Sequence, residues 1–366
     1  MEQIGLAIIG STGAIGDRHI EAIKQLTTCR LVGVNARKQA PLEKQAARLG
    51  VKAYFTLPDV LNDPDVDAIV IATPHPSHKE IALESFKAGK HVLVEKPIGV
   101  TPSEADVIVS AARKYNLKLS VLFNNRFRSE SLKMKGLMDS GAIGEIYRAT
   151  VSSGMFRTQD YYNQLPWRGT WGLEGGGALL NQGIHAIDLF VSLVGLPDSV
   201  FGQMRTLKHD IEVEDYASAL LEYSDGFLAT LNCDTVQAPP RQRMEIYGER
   251  GAIIGDDWNI SLHHLETPLQ EFMNNAQGMF VSPKTTEEKF VLEKIENTHA
   301  PAIDDFCRAI LENRDPMITG EEGSKAQELV AAITLSSCTG ERVSLPVNRD
   351  DYDDLMDDLM KSGKLP

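Results

Sequence analysis

Apolar runs with no polar alternation recur through the first part of the chain, and stretches of helical periodicity separate them. The run that begins at Ile4 and the segments 31–34, 67–74, 91–94 and 118–123 read as strands buried on both faces. A shorter strand is expected at 53–55. Helical patterns lie around Ile20 and Ile23 and over 42–49, 81–88 and 102–115, with Gly89 placed as the residue that ends the third of these. Strands alternating with helices predict a doubly wound parallel sheet over residues 1–123.

Beyond a helix that follows Arg128, the pattern changes. Segments 146–155, 213–223, 227–233, 243–247 and 258–263 read as longer strands, and Asp225-Gly226 between two of them is a hairpin signal. With no helices interleaved, a large, mostly antiparallel open sheet is the economical arrangement. The expected fold class is therefore α/β plus α+β, with domains at 1–123 and 124–366. A sheet covered by helices on one face leaves the other for a partner subunit. At the C-terminal end, Leu355, Met356, Leu359 and Met360 recur among six aspartates over 350–358. Their spacing gives either a short amphipathic helix docked on a neighbour or a frayed acidic tail.

Composition narrows the partners. The 366 residues are enough for two cores, and a formal charge of −14 argues against nucleic acid and anionic membranes, which need clustered cations. Cys29, Cys233, Cys307 and Cys338 lie far apart, as reduced thiols do, so neither a disulfide frame nor a metal site is expected. The start Met1-Glu2-Gln3-Ile4 lacks the charged and apolar regions of a signal peptide, and no apolar run long enough to span a bilayer is apparent. The expectation is a cytoplasmic protein.

Three stretches carry chemistry. Gly10-Ser11-Thr12-Gly13-Ala14-Ile15-Gly16 joins a buried strand to a helix, the setting in which backbone amides approach a pyrophosphate at a helix N-terminus. Its first glycine stands one residue earlier than in the usual fingerprint. Where a carboxylate for the ribose is expected, about 20 residues on, the chain has Asn35, followed by Arg37 and Lys38, which leans the cofactor from NAD(H) towards NADP(H). The second stretch, Val92 to Pro97, brings Lys96 out at the carboxyl end of a buried strand, where open α/β sheets bind ligands, and the proline restricts its backbone. In the third, Gly175-Gly176-Gly177 precedes a helix on which Ala178, Asn181, His185 and Asp188 share one face. Tyr161, Tyr162, Trp167, Arg168 and Trp171 come just before it, either lining a carbohydrate pocket or packing under a loop.

Taken together, Gly13 to His19, Ala72-Thr73-Pro74 with His78, Ala88 to Pro97, and Gly175 through His185 resemble the Gfo/Idh/MocA oxidoreductases over nearly the whole chain. The resemblance implies an N-terminal Rossmann domain, a C-terminal domain for substrate binding and oligomerisation, and homodimers or homotetramers formed through the open sheet. It implies NAD(P)-dependent hydride transfer between nicotinamide and a secondary hydroxyl or ketone of a sugar, glycoside or cyclitol. The catalytic lysine and histidine fall on Lys96 and His185, with Asn181, an aspartate in many members, to orient the reacting group. Cofactor binding falls on Gly10, Ser11, Thr12, Gly13, Ala14, Ile15, Gly16, Asn35, Arg37, Lys38, Thr73, Pro74, His78, Glu95 and Lys96. Substrate binding falls on Arg126, Trp167, Arg168, Asn181 and His185.

Hydride removal requires that the hydroxyl proton leave in step and that the developing oxyanion be stabilised. His185 would take or relay the proton while Lys96 donates a charged hydrogen bond, or the two exchange roles. Two other readings use the same fold: glycoside cleavage assisted by transient oxidation, and a nucleotide-sensing binding protein without chemistry. Retention of both Lys96 and His185 counts against the last.

Overall fold

Six parallel strands carry the N-terminal part of the chain: β1 (Ile4–Ile9), β2 (Cys29–Asn35), β3 (Lys52–Tyr54), β4 (Ala68–Ile71), β5 (His91–Glu95) and β6 (Leu119–Leu122), in the order β3-β2-β1-β4-β5-β6. This is a computed structural model, and it describes residues 3–365. Every residue of β1, β4 and β6 is buried, and so is all of β5 after its first residue. Helices on both faces remove the need for polar alternation. Helix Pro102–Tyr115 lies where periodicity placed it. Thr101 Oγ1 accepts a 3.3 Å bond from the Glu104 amide at its start, and Asn116 ends it in the left-handed conformation. Gly89, at φ +76°, follows helix His78–Lys87.

The domain boundary differs from the expected one. Residues up to Phe127 form one unit with Ile295–Gln327, and Arg128–Lys294 form a second with the chain from Glu328 onward. The reason is helix His299–Leu311. Its side chains Ile303, Phe306 and Cys307 are buried, and the helix packs on helix Ala14–Ile23 and β1. Ser120 Oγ also donates to Ile318 O at 2.8 Å, tying the returning chain to β6. Nothing local to residues 295–327 signals that they complete a core begun at residue 4.

The second unit is built on β7 (Ile146–Gly154), β8 (Ser199–Arg205), β9 (Tyr216–Glu222), β10 (Leu228–Asp234), β11 (Arg241–Gly248), β12 (Gly251–Asp256), β13 (Asn259–Leu265), β14 (Thr285–Phe290) and β15 (Val343–Ser344). They form one nine-stranded sheet, ordered β14-β13-β12-β11-β7-β10-β9-β8-β15. All neighbours are antiparallel except β7 and β10, which run parallel. One face buries Ala149, Val151, Leu221, Leu231 and Ile253. Each aliphatic side chain of leucine size so buried contributes about 1.5–3 kcal/mol. On the opposite face the pairing places Phe201, Leu220, Thr230, Thr150, Glu245 and Ile254 in one row across the strands.

Several elements escape the apolar pattern for physical reasons. In β8, Gly202 replaces a core side chain because a Cβ there would lie 2.9 Å from Ile333. β14 is an edge strand exposed through all but its last residue, so nothing forces alternation. Helix Leu269–Asn275 stands between β13 and β14, where no helix is expected. Helix Arg349–Ser362 buries Tyr352, Met356 and Leu359, with the Asn348 side chain accepting from the Asp350 and Asp351 amides at its start. It packs on the segment Trp171–Glu174 of its own unit, so the acidic end is an ordered helix. Trp171–Val194 has the length and composition of a membrane span, but 72% of its most apolar window is buried within the protein, as in a core helix.

Candidate active site

The glycine turn is shaped first by the protein around it. Gly10 has φ +89°, and a Cβ there would lie 2.6 Å from Ala72 O. The Gly10 and Ser11 amides donate to Asn35 O at 2.9 and 3.0 Å, and Ser11 Oγ donates to buried Gln45 Oε1 at 2.7 Å. The extra residue is taken up by a reverse turn, in which Gly13 N donates to Gly10 O at 3.3 Å. A Cβ on Gly16 would fall 2.3 Å from Ser11 O, so helix and turn touch there. Gly13 is different: its nearest neighbour to an added Cβ is Gly10 O at 3.6 Å. Protein packing does not require glycine at 13. It is also the N-cap of helix Ala14–Ile23 and supplies no side-chain hydrogen bond to the first turn. Close approach of a pyrophosphate explains both features, so these residues fit a dinucleotide. Thr12 is exposed and Ile15 half-buried; the Ala14 side chain lies outside what the structure describes.

Around this turn the other cofactor candidates divide. Asn35 Nδ2 donates to Tyr54 O at 2.9 Å, while Arg37 and Lys38 are exposed beyond the end of β2. Thr73 packs its methyl beside Gly10, and its Oγ1 accepts from Ser77 Oγ at 2.7 Å. The Pro74 carbonyl lies 2.8 Å from the same hydroxyl, which has one proton to share between the two oxygens. His78 is completely buried. Its ring nitrogens lie 2.9 Å from Thr73 O and 2.9 Å from Pro97 O, and burial pushes its pKa below the ordinary imidazole value. It braces the end of β4 against the turn after β5.

Lys96 follows β5 directly, joined to Pro97 by a cis peptide bond. Glu95, expected among the cofactor ligands, is turned inward. Its Oε1 lies 2.8 Å from His19 Nε2 and 4.0 Å from His299 Nε2, and its Oε2 accepts the Lys96 amide at 3.3 Å. Burial alone would raise this carboxyl, but the His19 hydrogen bond and the charges of His19, His299 and Lys96 outweigh it and bring the pKa to about 2. Burial depresses His299 to about 4 despite the Glu95 charge. His19 stands in the quoted glycine stretch without an assigned role, and His299 arrives from the distant returning helix. Arg126 lies in the same unit, buried, with Nη1 3.7 Å from Glu322.

In the second unit the stretch after the triple glycine is not an α-helix from its start. Ala178–Gly183 forms a wider π-helical turn that continues as α-helix Ile184–Val194, a distortion common at functional sites. The turn is held by Glu214, which sequence reading missed. Its carboxyl oxygens accept from the Gly177 and Leu179 amides, both at 2.9 Å, and its carbonyl accepts from Ala178 N at 3.0 Å. A Cβ on Gly177 would lie 1.9 Å from Glu214 O, so that glycine admits a neighbouring backbone and not a ligand. Burial drives the Glu214 carboxyl up to about 7, partly offset by the amide bonds and reinforced by Asp215. Of the four residues expected on one face, Ala178 and Asp188 are buried, and Asn181 and His185 are half-buried.

The aromatic group before the glycines also divides. Trp171 is a core residue, donating its indole N–H to Glu212 O at 3.1 Å, and the Tyr162 hydroxyl bonds Thr235 Oγ1 at 2.9 Å. Arg168 lies 4.0 Å over the Tyr161 ring and 5.4 Å from that of Trp167, with Nη1 donating to Tyr161 O at 2.7 Å. Gln182 Nε2 reaches the Tyr161 hydroxyl at 3.1 Å. Trp167, Arg168 and Asn181 are thus carried by one unit, whereas Lys96 and the glycine turn are carried by the other.

Comparison with known proteins agrees with this layout. Residues 4–123 match the profile of an oxidoreductase family with an NAD-binding Rossmann fold, and residues 131–254 match a GFO/IDH/MocA C-terminal domain. The chain is 30% identical to the trans-1,2-dihydrobenzene-1,2-diol dehydrogenase of Xenopus laevis, over 76% of this chain and 82% of that protein. It is 25% identical to the myo-inositol 2-dehydrogenase of Thermotoga maritima, over 88% and 92% respectively. The crystal structure of the WlbA dehydrogenase from Bordetella pertussis in complex with NADH and UDP-GlcNAcA superposes with a TM-score of 0.80 at 28% identity, covering 95% of this chain and 100% of that one.

Proposed function

The chain belongs to the Gfo/Idh/MocA family of NAD-binding oxidoreductases, and on that premise we propose that it interconverts a secondary hydroxyl and a ketone on a sugar, glycoside or cyclitol. The observation that carries the dinucleotide half of this reading is Gly13, whose missing side chain no protein contact explains. The polyol half is supported by the Tyr161, Trp167 and Arg168 cluster, whose ring faces suit sugar C–H surfaces.

A bound nicotinamide supplies the hydride acceptor or donor. The residues of the chain handle the oxygen and its proton. Lys96 donates a charged hydrogen bond to the alcohol oxygen and stabilises negative charge as it develops. His185 takes or relays the hydroxyl proton, and Asn181 orients the hydroxyl. Glu95 and His78 act at one remove, one holding the Lys96 amide and the other the Pro97 carbonyl. Trp167 and Arg168 bind the substrate, and Arg126, paired with Glu322, is the weaker candidate for that role.

For the cofactor, the exposed Arg37 and Lys38 after β2, with Asn35 where a carboxylate would repel a phosphate, support a preference for NADP(H). Free thiols at all four cysteines support a reducing compartment, the cytoplasm. Exposed Phe201 and Leu220, paired side by side on the nine-stranded sheet, support a homodimer or homotetramer through that face. Light scattering on the purified protein tests the assembly.

The decisive experiment is a nicotinamide absorbance screen with both cofactors against pyranosides, aldoses, inositols and their keto forms. Net reduction or oxidation with one class identifies the substrate. Tight cofactor binding with silence across the panel would replace this reading by the binding protein, and aglycone release without net absorbance change would replace it by redox-assisted glycoside cleavage.

A further inference from the structure

The π-helical turn Ala178–Gly183 is fastened to the sheet at two points, one on each side of Ala178. Ala178 N donates to Glu214 O at 3.0 Å, and the Glu214 carboxyl takes the flanking amides of Gly177 and Leu179 at 2.9 Å each. Three successive N–H groups at the head of the turn thus end on one residue. The Ala178 carbonyl, which an α-helix would satisfy with the amide four residues on, accepts from Cys233 Sγ of β10 at 3.2 Å. Burial and the charges of Glu214 and Asp234 hold that thiol well above its usual range, so it keeps its proton and its donor role. A Cβ on Gly183 would fall 2.1 Å from the same sulfur, so glycine at the end of the turn is what admits it. The two fasteners share one corner of the sheet. Glu214 stands just before β9, Cys233 pairs with Ala217 of β9, and Thr235 N donates to Asp215 O at 2.9 Å. Asn181 N in turn donates to Gly177 O at 3.0 Å, so the Asn181 backbone hangs on the fastened segment.

We propose that Glu214 and Cys233 are positioning residues for the alcohol: by fastening the head of the π-helical turn to β9 and β10, they fix the winding between Asn181 and His185. This rests on the dehydrogenase reading above, which assigns those two groups to the hydroxyl. A π-turn is rare because α-helical winding competes with it, and partners outside the helix are the physical reason it persists here. An α-helix turns about 100° per residue. Relaxation to α winding would swing the chain before the turn by about that angle relative to His185, and Asn181, inside the turn, by part of it. The alcohol would then meet one of the two groups and not both.

The test is steady-state kinetics on the full-length protein above the Glu214 pKa of about 7, with the best polyol from the screen as substrate. Glu214→Gln leaves one oxygen for two amides and sets its own NH2 against the other amide. kcat is expected to fall by up to about 100-fold, the scale of an ångström's misplacement at a reacting group. The Kd for the nicotinamide nucleotide, whose glycine turn lies in the other unit, is expected to be unchanged. In protein isotopically labelled at the histidine Cε1 carbons, the His185 resonance, assigned by its absence from His185→Gln, is expected to move. A role confined to stability lowers the folded fraction and leaves the kcat and the resonance of the folded enzyme where they were. Cys233→Ala removes the donor to Ala178 O without touching a charge, and is expected to lower kcat about 10-fold, the scale of one unpaired buried acceptor, and to move the same resonance. It carries the test if E214Q does not fold. A folded E214Q with wild-type kcat, or in its place C233A with wild-type kcat and an unmoved resonance, overturns the inference while leaving the dehydrogenase reading intact. A wild-type protein silent with every polyol overturns both.

Discussion

Oε1 of Glu95 lies 2.8 Å from Nε2 of His19, a histidine with none of its surface exposed, although the two stand 76 residues apart. Because a carboxylate only accepts, that ring nitrogen carries the proton. The pair ties the helix that follows the glycine turn to the residue immediately before Lys96.

Glu95→Gln is expected to expose this coupling through acid stability. The native pKa of about 2 lies below the ordinary carboxyl value of 4.5, so the stabilisation is fully present above pH 4.5 and is lost as pH falls towards 2. At neutral pH the variant should be less stable by about 3 kcal/mol, the size of a shift of that extent. The difference should close through the acid range. Urea unfolding from neutral to acid pH measures it, and parallel curves for the two proteins would refute the assignment.

The Glu214 carboxyl works in the opposite sense. Its native pKa of about 7 exceeds 4.5, so its contribution is complete below pH 4.5 and is lost as pH rises to 7 and beyond. Glu214→Gln should remove this dependence, so that relative to the variant the wild type loses about 3 kcal/mol between acid and mildly alkaline pH. Thermal unfolding across that window is the measurement; an unchanged pH slope in the variant counts against it.

The glycine turn separates packing from binding. Gly16→Ala places a methyl 2.3 Å from the Ser11 carbonyl and is expected to cost about 1–3 kcal/mol of stability. Gly13→Ala meets no protein atom closer than 3.6 Å, so the melting temperature should be retained while nicotinamide nucleotide affinity falls. Calorimetric melting and nucleotide titration of the two variants give the comparison. Equal effects of both substitutions on stability would remove the argument for a ligand at Gly13.

Lys96→Ala and His185→Ala are each expected to lower kcat roughly 10²–10⁴-fold, as for loss of a proton-handling group. Nucleotide binding should persist in both. Steady-state rates with the preferred polyol, beside nucleotide Kd values, decide the matter: near-normal turnover in either variant would remove that residue from the reaction.

The N-terminal sheet was legible because its strands are buried on both faces, so each reads as an unbroken apolar run. Helix Pro102–Tyr115 was equally plain, with Thr101 before it and Asn116 after it supplying the local stop signals. Edge strand β14 carries no pattern because it is exposed, and the π-helical turn at 178–183 depends on amides held by Glu214, 31 residues beyond Gly183 in a segment that reads as an ordinary strand. Lys96, His185 and Asn181 were visible as unusual chemistry at predictable ends of elements, whereas His299 and Glu214 had no local mark.

By itself, then, the sequence determined the alternation of strands and helices over residues 1–123, the glycine turn and the residue types available for proton transfer, because periodicity and backbone freedom are properties of neighbouring residues. Only the tertiary structure decided which polar groups look inward. Glu95 and His78, both expected at the cofactor, brace the chain from within, and residues 295–327 complete the first unit and not the second. A carboxylate or imidazole reads the same in sequence whether it meets a ligand or a partner brought in from 76 or 204 residues away, and burial with hydrogen bonding chooses between them.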